Sequence, residues 1–177
     1  MGIIPNYAYD SVFMITPGFL KENNIGALAL DIDNTLSPYS DSVPSKETVG
    51  FIQKLKASGI YLFIVSNNKD ARISAFAKTL DLPCIYGAKK PLSHPTEKFI
   101  LQNGIDKDTL CVIGDQFFTD MWLSANLNVR SILISPIDTS QENAFIRFKR
   151  ILEKPLWHFS RKSLIKKGRW NIATVSR

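Results

Sequence analysis

The feature that most constrains the fold is a pair of aspartates at the end of an apolar run. Ala27-Leu28-Ala29-Leu30 is typical of a buried strand, and Asp31 and Asp33 follow it directly. Because side-chain direction repeats every second residue in extended chain, both carboxylates project the same way. Two like charges this close are costly to desolvate unless a cation lies beside them. The pair favours a metal site with a nucleophile, although taken alone it also fits a solvated polar turn.

Apolar strand patterns alternate with amphipathic helix patterns along the rest of the chain. This alternation predicts an α/β fold with a doubly wound, mostly parallel five-stranded sheet. The strands are expected at about 26–32, 60–65, 84–86, 109–113 and 131–134. The helices are expected at about 45–58, 70–80, 95–103, 117–126 and 141–153, the last ending before Pro155. We expect the N-terminal segment to pack across this sheet.

Other polar motifs also stand at predicted strand ends. The second strand ends in Ser66-Asn67-Asn68, and Asp115 and Asp120 follow the fourth. Lys89 and Lys90 follow the third strand, where a receiver domain would carry its phosphorylated Asp. In an open parallel sheet, ligands bind outside the carboxyl ends of the strands. These motifs are therefore expected to meet at one edge of the sheet.

An Asp pair, a hydroxyl, a Lys and a further Asp in this order resemble the haloacid dehalogenase superfamily. The closer resemblance, over about residues 5–153, is to its capless YqeG-type phosphatases (subfamily III). It rests on Asp-x-Asp-Asn-Thr-Leu, Ser-Asn-Asn, Lys-Lys-Pro and Gly-Asp-Gln-x-x-Thr-Asp. The chain is also similar to mitochondrial and plastid phosphatidylglycerophosphate phosphatases. It departs from the family at Ala125-Asn126-Leu127-Asn128, where an Asn-Arg-x-Gly stretch is expected.

The resemblance implies a phosphatase that works through an aspartyl-phosphate. Asp31 would be the nucleophile, and Asp33 would protonate the leaving group and then activate water. Asp31, Asp115 and the backbone carbonyl of Asp33 would bind Mg²⁺, which prefers oxygen ligands. Asp120 would lie outside the ligand set and orient the lysine or a water, unless it is only a surface acid.

The resemblance also implies a set of residues around the transferred phosphate. Lys90 would neutralise charge on the nucleophile and the phosphoryl group, and Lys89 is the alternative. Thr35 and Ser66 would bind phosphoryl oxygens, although each could instead cap a turn or helix. Asn67 is expected to shape its loop, with a possible contact to the phosphate.

The spacing of the motifs bears on the substrate. Thirty residues separate Thr35 from Ser66, and 23 separate Ser66 from Lys90. Neither gap can hold a cap domain, since independent domains need roughly 50 residues or more. An open site favours a phosphate carried by a large or membrane-bound molecule, whether a lipid, a protein or a nucleic-acid end.

The net charge of +6 is unevenly distributed along the 177 residues. Residues 147–177 contain ten basic residues and one acid. We expect a catalytic domain at 1–154 and a basic tail at 155–177. Trp157 and Trp170 among the cations favour contact with an anionic membrane over contact with RNA, which remains the alternative.

Three further features of the sequence indicate the cellular compartment. The chain shows neither a secretory signal nor an apolar run long enough to cross a bilayer, and Cys84 and Cys111 are expected to be reduced thiols. We therefore expect a cytoplasmic enzyme. The basic tail adds the alternative of a peripheral position at the inner face of the membrane.

Overall fold

The central element is a seven-stranded sheet with the order β4-β3-β2-β5-β6-β1-β7, in which every neighbouring pair is parallel. The computed structural model describes residues 2–171. The strands are β1 (Tyr7–Tyr9), β2 (Ala27–Leu30), β3 (Tyr61–Ser66), β4 (Cys84–Tyr86), β5 (Leu110–Gly114), β6 (Arg130–Ile134) and β7 (Trp170–Asn171). The α-helices are α1 (Pro17–Glu22), α2 (Lys46–Ala57), α3 (Ala71–Leu80), α4 (His94–Gln102), α5 (Trp122–Leu127) and α6 (Ala144–Lys166).

The helices begin and end where local chemistry predicts. Ser45 Oγ accepts the Thr48 N–H at 3.0 Å at the start of α2, and Asp70 Oδ1 accepts the Ile73 N–H at 3.0 Å at the start of α3. Gly59 follows α2 with a φ of 79°, a conformation that glycine adopts at low cost. The bounds of the five predicted strands and of the first three helices are confirmed to within two residues.

The sheet has a hydrophobic layer on each face, as expected for a doubly wound fold. One layer includes Ile52 of α2 and Phe76 of α3, and the other includes Ile100 of α4 and Leu123 of α5. The chain changes direction across the sheet between the neighbouring strands β2 and β5. This switch point is where ligands bind in such folds.

The prediction of five strands was wrong, because β1 and β7 add two. The N-terminal segment packs across the sheet as expected, because Val12, Ile15 and Leu20, which lie between β1 and β2, belong to the same hydrophobic layer as Ile113 and Ile132. It also forms β1, which pairs with β6 on one side and with β7 on the other. These strands have three and two residues, which is too short for a periodic pattern to be recognised in the sequence.

The predicted end of the last helix before Pro155 was also wrong. α6 continues through Pro155 to Lys166, so the expected boundary between residues 154 and 155 falls inside it. A proline inside a helix costs roughly 3 kcal/mol. Packing offsets this cost, because Leu164 and Trp157 pack with Phe117 beyond the proline. Among residues 2–171, no helix is long and apolar enough to span a membrane.

Candidate active site

The candidate active site lies at the carboxyl ends of β2 and β5. The Asp31 N–H donates to the Ile113 carbonyl at 3.0 Å, which continues the pairing of these two strands and brings Asp31 beside Asp115. Both aspartates are buried, with Asp31 8% exposed and Asp115 fully enclosed. The two strand ends thus supply the two central carboxylates.

A third carboxylate joins them. Asp31, Asp115 and Asp120 each have an oxygen within 4.8 Å of the others. Asp120 lies on a one-turn π-helix at Phe117–Met121, a rare element that is common at functional sites. Its Oδ2 accepts the Gln116 N–H at 3.2 Å and the Thr119 hydroxyl at 3.1 Å. Asp120, predicted to lie outside the metal ligands, is therefore part of the carboxylate cluster.

The ammonium group of Lys90 lies among these carboxylates. Its Nζ is 2.5 Å from Asp31 Oδ1 and 2.6 Å from Asp120 Oδ1. Burial alone would lower the pKa of Lys90, but Asp120 and Asp31 outweigh that effect and raise it. Asn67 holds the Lys90 backbone, accepting its N–H at 2.6 Å and donating to its carbonyl at 3.1 Å. Lys89 is exposed, so of the two lysines only Lys90 enters the site.

Asp33 does not belong to the carboxylate cluster, although its side chain faces the same cavity. Asn68 Nδ2 donates to its Oδ2 at 2.8 Å, and the Arg72 guanidinium forms an ion pair with its Oδ1. Arg72 also donates to the Asp41 carbonyl at 3.0 Å and lies over the Tyr39 ring. These contacts hold the Asp33 carboxylate in place from both sides.

The two predicted hydroxyl groups lie close by and are buried. The Thr35 hydroxyl donates to Asp31 Oδ2 at 3.4 Å. Ser66 Oγ accepts the Asn68 N–H at 3.1 Å. Asp31, Asp33, Asn67 and Lys90 line a cavity of about 70 Å³. Since a water needs roughly 10–15 Å³ of such space, the cavity is suited to a phosphoryl group with a few waters.

A second charged network connects the carboxylates to α6. Arg150 of α6 forms ion pairs with Asp115 and with the buried Glu142, whose Oε2 accepts the Arg150 Nε–H at 2.7 Å. Glu142 Oε1 also accepts from Asn34 Nδ2 at 2.7 Å. Asn34 has a φ of 62° in the loop that follows Asp31. The network thus joins α6 to both strand ends of the site.

The electrostatics of the cluster favour a bound cation. Burial raises the pKa of Asp31 well above its usual range, and burial raises that of Asp115 to about 7 despite the nearby Arg150. Asp115 Oδ1 is buried without a hydrogen-bond partner among the described residues. Three carboxylates share Lys90 and Arg150. An oxygen-only donor set with an unpartnered oxygen fits a hard divalent cation such as Mg²⁺.

Comparison with known proteins shows the family of this chain. The model of the haloacid dehalogenase-like hydrolase family matches residues 28–155. The chain belongs to this family. The match spans all four strand ends that carry the site, those of β2, β3, β4 and β5. Membership makes the protein a hydrolase.

A curated relative narrows the activity of this haloacid dehalogenase-like hydrolase. This chain is 33% identical over 152 residues to the "Probable phosphatase YqeG" of Bacillus subtilis (strain 168). The alignment covers 85% of this chain and 87% of the relative. The similarity supports phosphatase activity and agrees with the expected YqeG-type resemblance.

One solved structure agrees with this chain in fold, and another is similar to part of it. The 3-deoxy-D-manno-octulosonate 8-phosphate phosphatase of Yersinia pestis matches with a TM-score of 0.52 and 17% identity, over 65% of this chain and 66% of that one. The enzyme of the same name from Moraxella catarrhalis, solved with magnesium, phosphate and KDO, matches with a TM-score of 0.46 and 25% identity. That match covers 54% of this chain and 60% of the other. The chain therefore spans about two thirds or less of these structures.

Sequence reasoning missed four charged residues of this hydrolase: Arg72, Glu142, Lys149 and Arg150. One signal was present for Arg72, which stands in the first turn of a helix that follows the Ser-Asn-Asn motif. Glu142, Lys149 and Arg150 gave no comparable signal, because the end of β6 carries no motif and α6 contains many cations. Their roles depend on where α6 packs.

Proposed function

We propose that this hydrolase is an Mg²⁺-dependent phosphomonoesterase in which Asp31 is the nucleophile. The observation that carries the proposal is the position of Lys90, whose ammonium group contacts both Asp31 and Asp120 at the edge of a phosphate-sized cavity. A cation at this point can neutralise the carboxylate and a transferring phosphoryl group together. Positioning and charge neutralisation are the main requirements of phosphoryl transfer.

In the first step an Asp31 oxygen attacks phosphorus, and the bond from phosphorus to the leaving oxygen breaks. Asp33 donates a proton to that oxygen, and the Asn68 and Arg72 contacts keep its carboxyl group at the cavity. Asp31 then carries an acyl phosphate. In the second step Asp33 takes a proton from water, which attacks phosphorus and releases phosphate and Asp31.

The remaining site residues bind the phosphoryl group or orient Lys90. Thr35 and Ser66 are buried beside Asp31 and Asn68, where their hydroxyl groups can donate to phosphoryl oxygens. Asn67 fixes the Lys90 backbone, so it acts through the lysine. Lys89 is exposed next to Lys90 and is a candidate for contact with the part of the substrate outside the cavity.

The carboxylates of Asp31 and Asp115 and the backbone carbonyl of Asp33 would hold Mg²⁺. Asp120 belongs to the same cluster and either completes this set or orients it through Lys90. When bound, Mg²⁺ neutralises charge on the phosphoryl oxygens. The unpartnered Asp115 Oδ1 is the oxygen that most needs such a ligand.

We further propose phosphatidylglycerophosphate as the substrate. The connections between the site motifs contain single helices, α2 and α3, and no inserted lid domain in the described chain. The mouth of the site is bordered by Lys149 of α6. An open, cation-lined mouth suits a phosphate presented at a surface better than a free metabolite, which usually requires a lid.

The test measures phosphate release from a panel of phosphorylated substrates at equal concentrations. The panel contains phosphatidylglycerophosphate in mixed micelles, water-soluble glycerophosphate, a sugar phosphate, a nucleotide and a phosphopeptide, each with the wild type and Asp31→Asn. We expect the highest kcat/KM for the lipid and no turnover by the variant. Preference for the phosphopeptide or a soluble phosphate would replace the lipid assignment while leaving the chemistry intact. Absence of release from every substrate would reject the phosphomonoesterase.

A further inference from the structure

One face of α6 exposes a continuous row of large apolar side chains. They are Phe145, Phe148, Ile151, Leu152 and Phe159, each at least half exposed. The spacings of three, four and seven residues place them on one side of the helix. At 1.5 Å per residue the row is about 21 Å long. We call these five residues the α6 stripe, and nothing among residues 2–171 covers it.

The charged residues that flank the α6 stripe have a single sign. The exposed charged residues of this helix are all basic, namely Arg147, Lys154, Arg161, Lys162 and Lys166. Its one acid, Glu153, is buried and accepts the Phe118 N–H at 2.8 Å. An apolar face bordered by cations alone is the pattern of helices that lie in the interface of an anionic membrane.

The α6 stripe begins beside the active site. Ile146 and Lys149, on the first turns of the same helix, line the catalytic cavity. Lys149 Nζ is 5.4 Å from the centroid of the Phe145 ring and donates to Gln116 Oε1 at 2.9 Å. A surface that contacts the stripe would therefore also lie at the mouth of the site.

We propose that the α6 stripe is a docking surface for an anionic lipid bilayer and brings headgroup phosphates to the active-site mouth. The inference rests on the proposed function in one respect, since a lipid-borne substrate would use this proximity. A second copy of the chain fits less well, because a two-fold contact through the stripe would bring together two surfaces that each carry exposed cations such as Arg147 and Lys154. Repulsion between these cations opposes such a dimer.

The stripe also differs from the surface expected for the tail. Trp157 lies half-buried against Phe117, with ring centroids 5.7 Å apart, and Trp170 is 5.8 Å from Trp157. Both rings are partly buried by this packing, so they offer less surface to a bilayer than the α6 stripe does. The proposed membrane contact is therefore the exposed face of α6 from Phe145 to Phe159, and not the two tryptophans.

The test is co-sedimentation of the full-length protein with vesicles that contain no phosphomonoester. Vesicles of phosphatidylglycerol and phosphatidylcholine are compared with phosphatidylcholine alone. The double variant Phe148→Ser/Leu152→Ser should bind the anionic vesicles at least about tenfold more weakly, because two apolar side chains no longer insert. The control Tyr61→Ser/Leu101→Ser removes two exposed apolar side chains on β3 and α4, outside α6, and should bind like the wild type. Arg147→Glu/Lys154→Glu should lose the preference for anionic vesicles.

All variants are checked by thermal unfolding and by hydrolysis of para-nitrophenyl phosphate, which should match the wild type. Equal vesicle binding by the stripe variant and the wild type would overturn the docking surface, as would a wild-type dimer in light scattering that the stripe variant abolishes. Vesicle binding contains no catalytic step, so it tests the α6 stripe separately. Stripe-dependent binding without hydrolysis of any lipid phosphate would retain the docking surface and reject the lipid substrate.

Discussion

Gly114 and Asp120 lie so close together that a Cβ atom on Gly114 would overlap the Asp120 carboxyl group. Gly114 ends β5, and the π-helix that follows folds Asp120 back over it. The missing side chain thus makes room for the carboxylate that contacts Lys90 at 2.6 Å. The glycine is required by this close approach and not by an unusual backbone conformation, since its φ is not positive.

We expect Gly114→Ala to displace Asp120 and with it Lys90. Overpacking of this kind typically costs about 1–3 kcal/mol of stability. A displacement near 1 Å can lower activity about 100-fold. Activity and urea unfolding are measured beside Gly50→Ala, whose added Cβ meets nothing within 4 Å on α2 and which should be neutral or slightly stabilising. Normal turnover by Gly114→Ala would mean that the position of Asp120 is unimportant.

Substitution of the two neighbouring lysines should affect kcat very differently. Lys90→Gln removes the ammonium group from between Asp31 and Asp120 and should lower kcat by about 100-fold or more, the usual scale for losing one electrostatic contact to the transition state. Lys89→Gln changes an exposed side chain and should keep kcat close to that of the wild type. Both are measured with para-nitrophenyl phosphate at saturating Mg²⁺. The reverse order would assign the catalytic role to Lys89.

Asp33→Asn should slow both half-reactions because an amide neither protonates the leaving oxygen nor accepts a proton from water. With para-nitrophenyl phosphate, whose leaving group needs little protonation, the first step should be spared more than the second. The acyl phosphate should then accumulate and appear as a burst of nitrophenol before slow turnover. A variant that turns over at the wild-type rate would exclude Asp33 as the acid and base.

The stability of the metal-free protein should depend on pH through Asp115. Burial raises the pKa of this group from 3.8 to about 7. Between those values the folded protein retains a proton that the unfolded chain has released, so its free energy of unfolding falls as pH rises. Relative to Asp115→Asn, the wild type should therefore lose stability across this interval. A relative gain would contradict a pKa of Asp115 that burial raises despite its ion pair with Arg150.

Mg²⁺ should reverse this loss, because it binds the ionised carboxylates and stabilises only the folded state. The increase in melting temperature on adding Mg²⁺ should be larger above pH 7 than below it. Asp115→Asn should show little increase at either pH, and EDTA should abolish phosphate release by the wild type. An Mg²⁺ effect that is equal in both proteins would place the cation elsewhere.

The sequence was sufficient for the parts of the site that lie at strand ends. Asp31 and Asp115 follow strands whose apolar runs are unmistakable, and parallel pairing alone brings them together. Arg150 lies within a predicted helix, but its contact with Asp115 could not be predicted. That contact depends on how α6 packs, and part of this packing lies beyond Pro155, where the helix was expected to have ended. Local preference favours that end, and the packing of Trp157 and Leu164 overrides it. Short edge strands such as β7 depend on the same packing.

Identifying the phosphorylated residue tests the central claim most directly. The enzyme is mixed with substrate and Mg²⁺, quenched in acid, and treated with borohydride, which reduces an aspartyl-phosphate to homoserine. Peptide mass spectrometry then locates the changed residue, with Asp31→Asn as the control. We predict homoserine at position 31 in the wild type and in the Asp33→Asn variant, and none in Asp31→Asn. Homoserine at another aspartate, or turnover by Asp31→Asn at the wild-type rate, would contradict the assignment of Asp31 as the nucleophile.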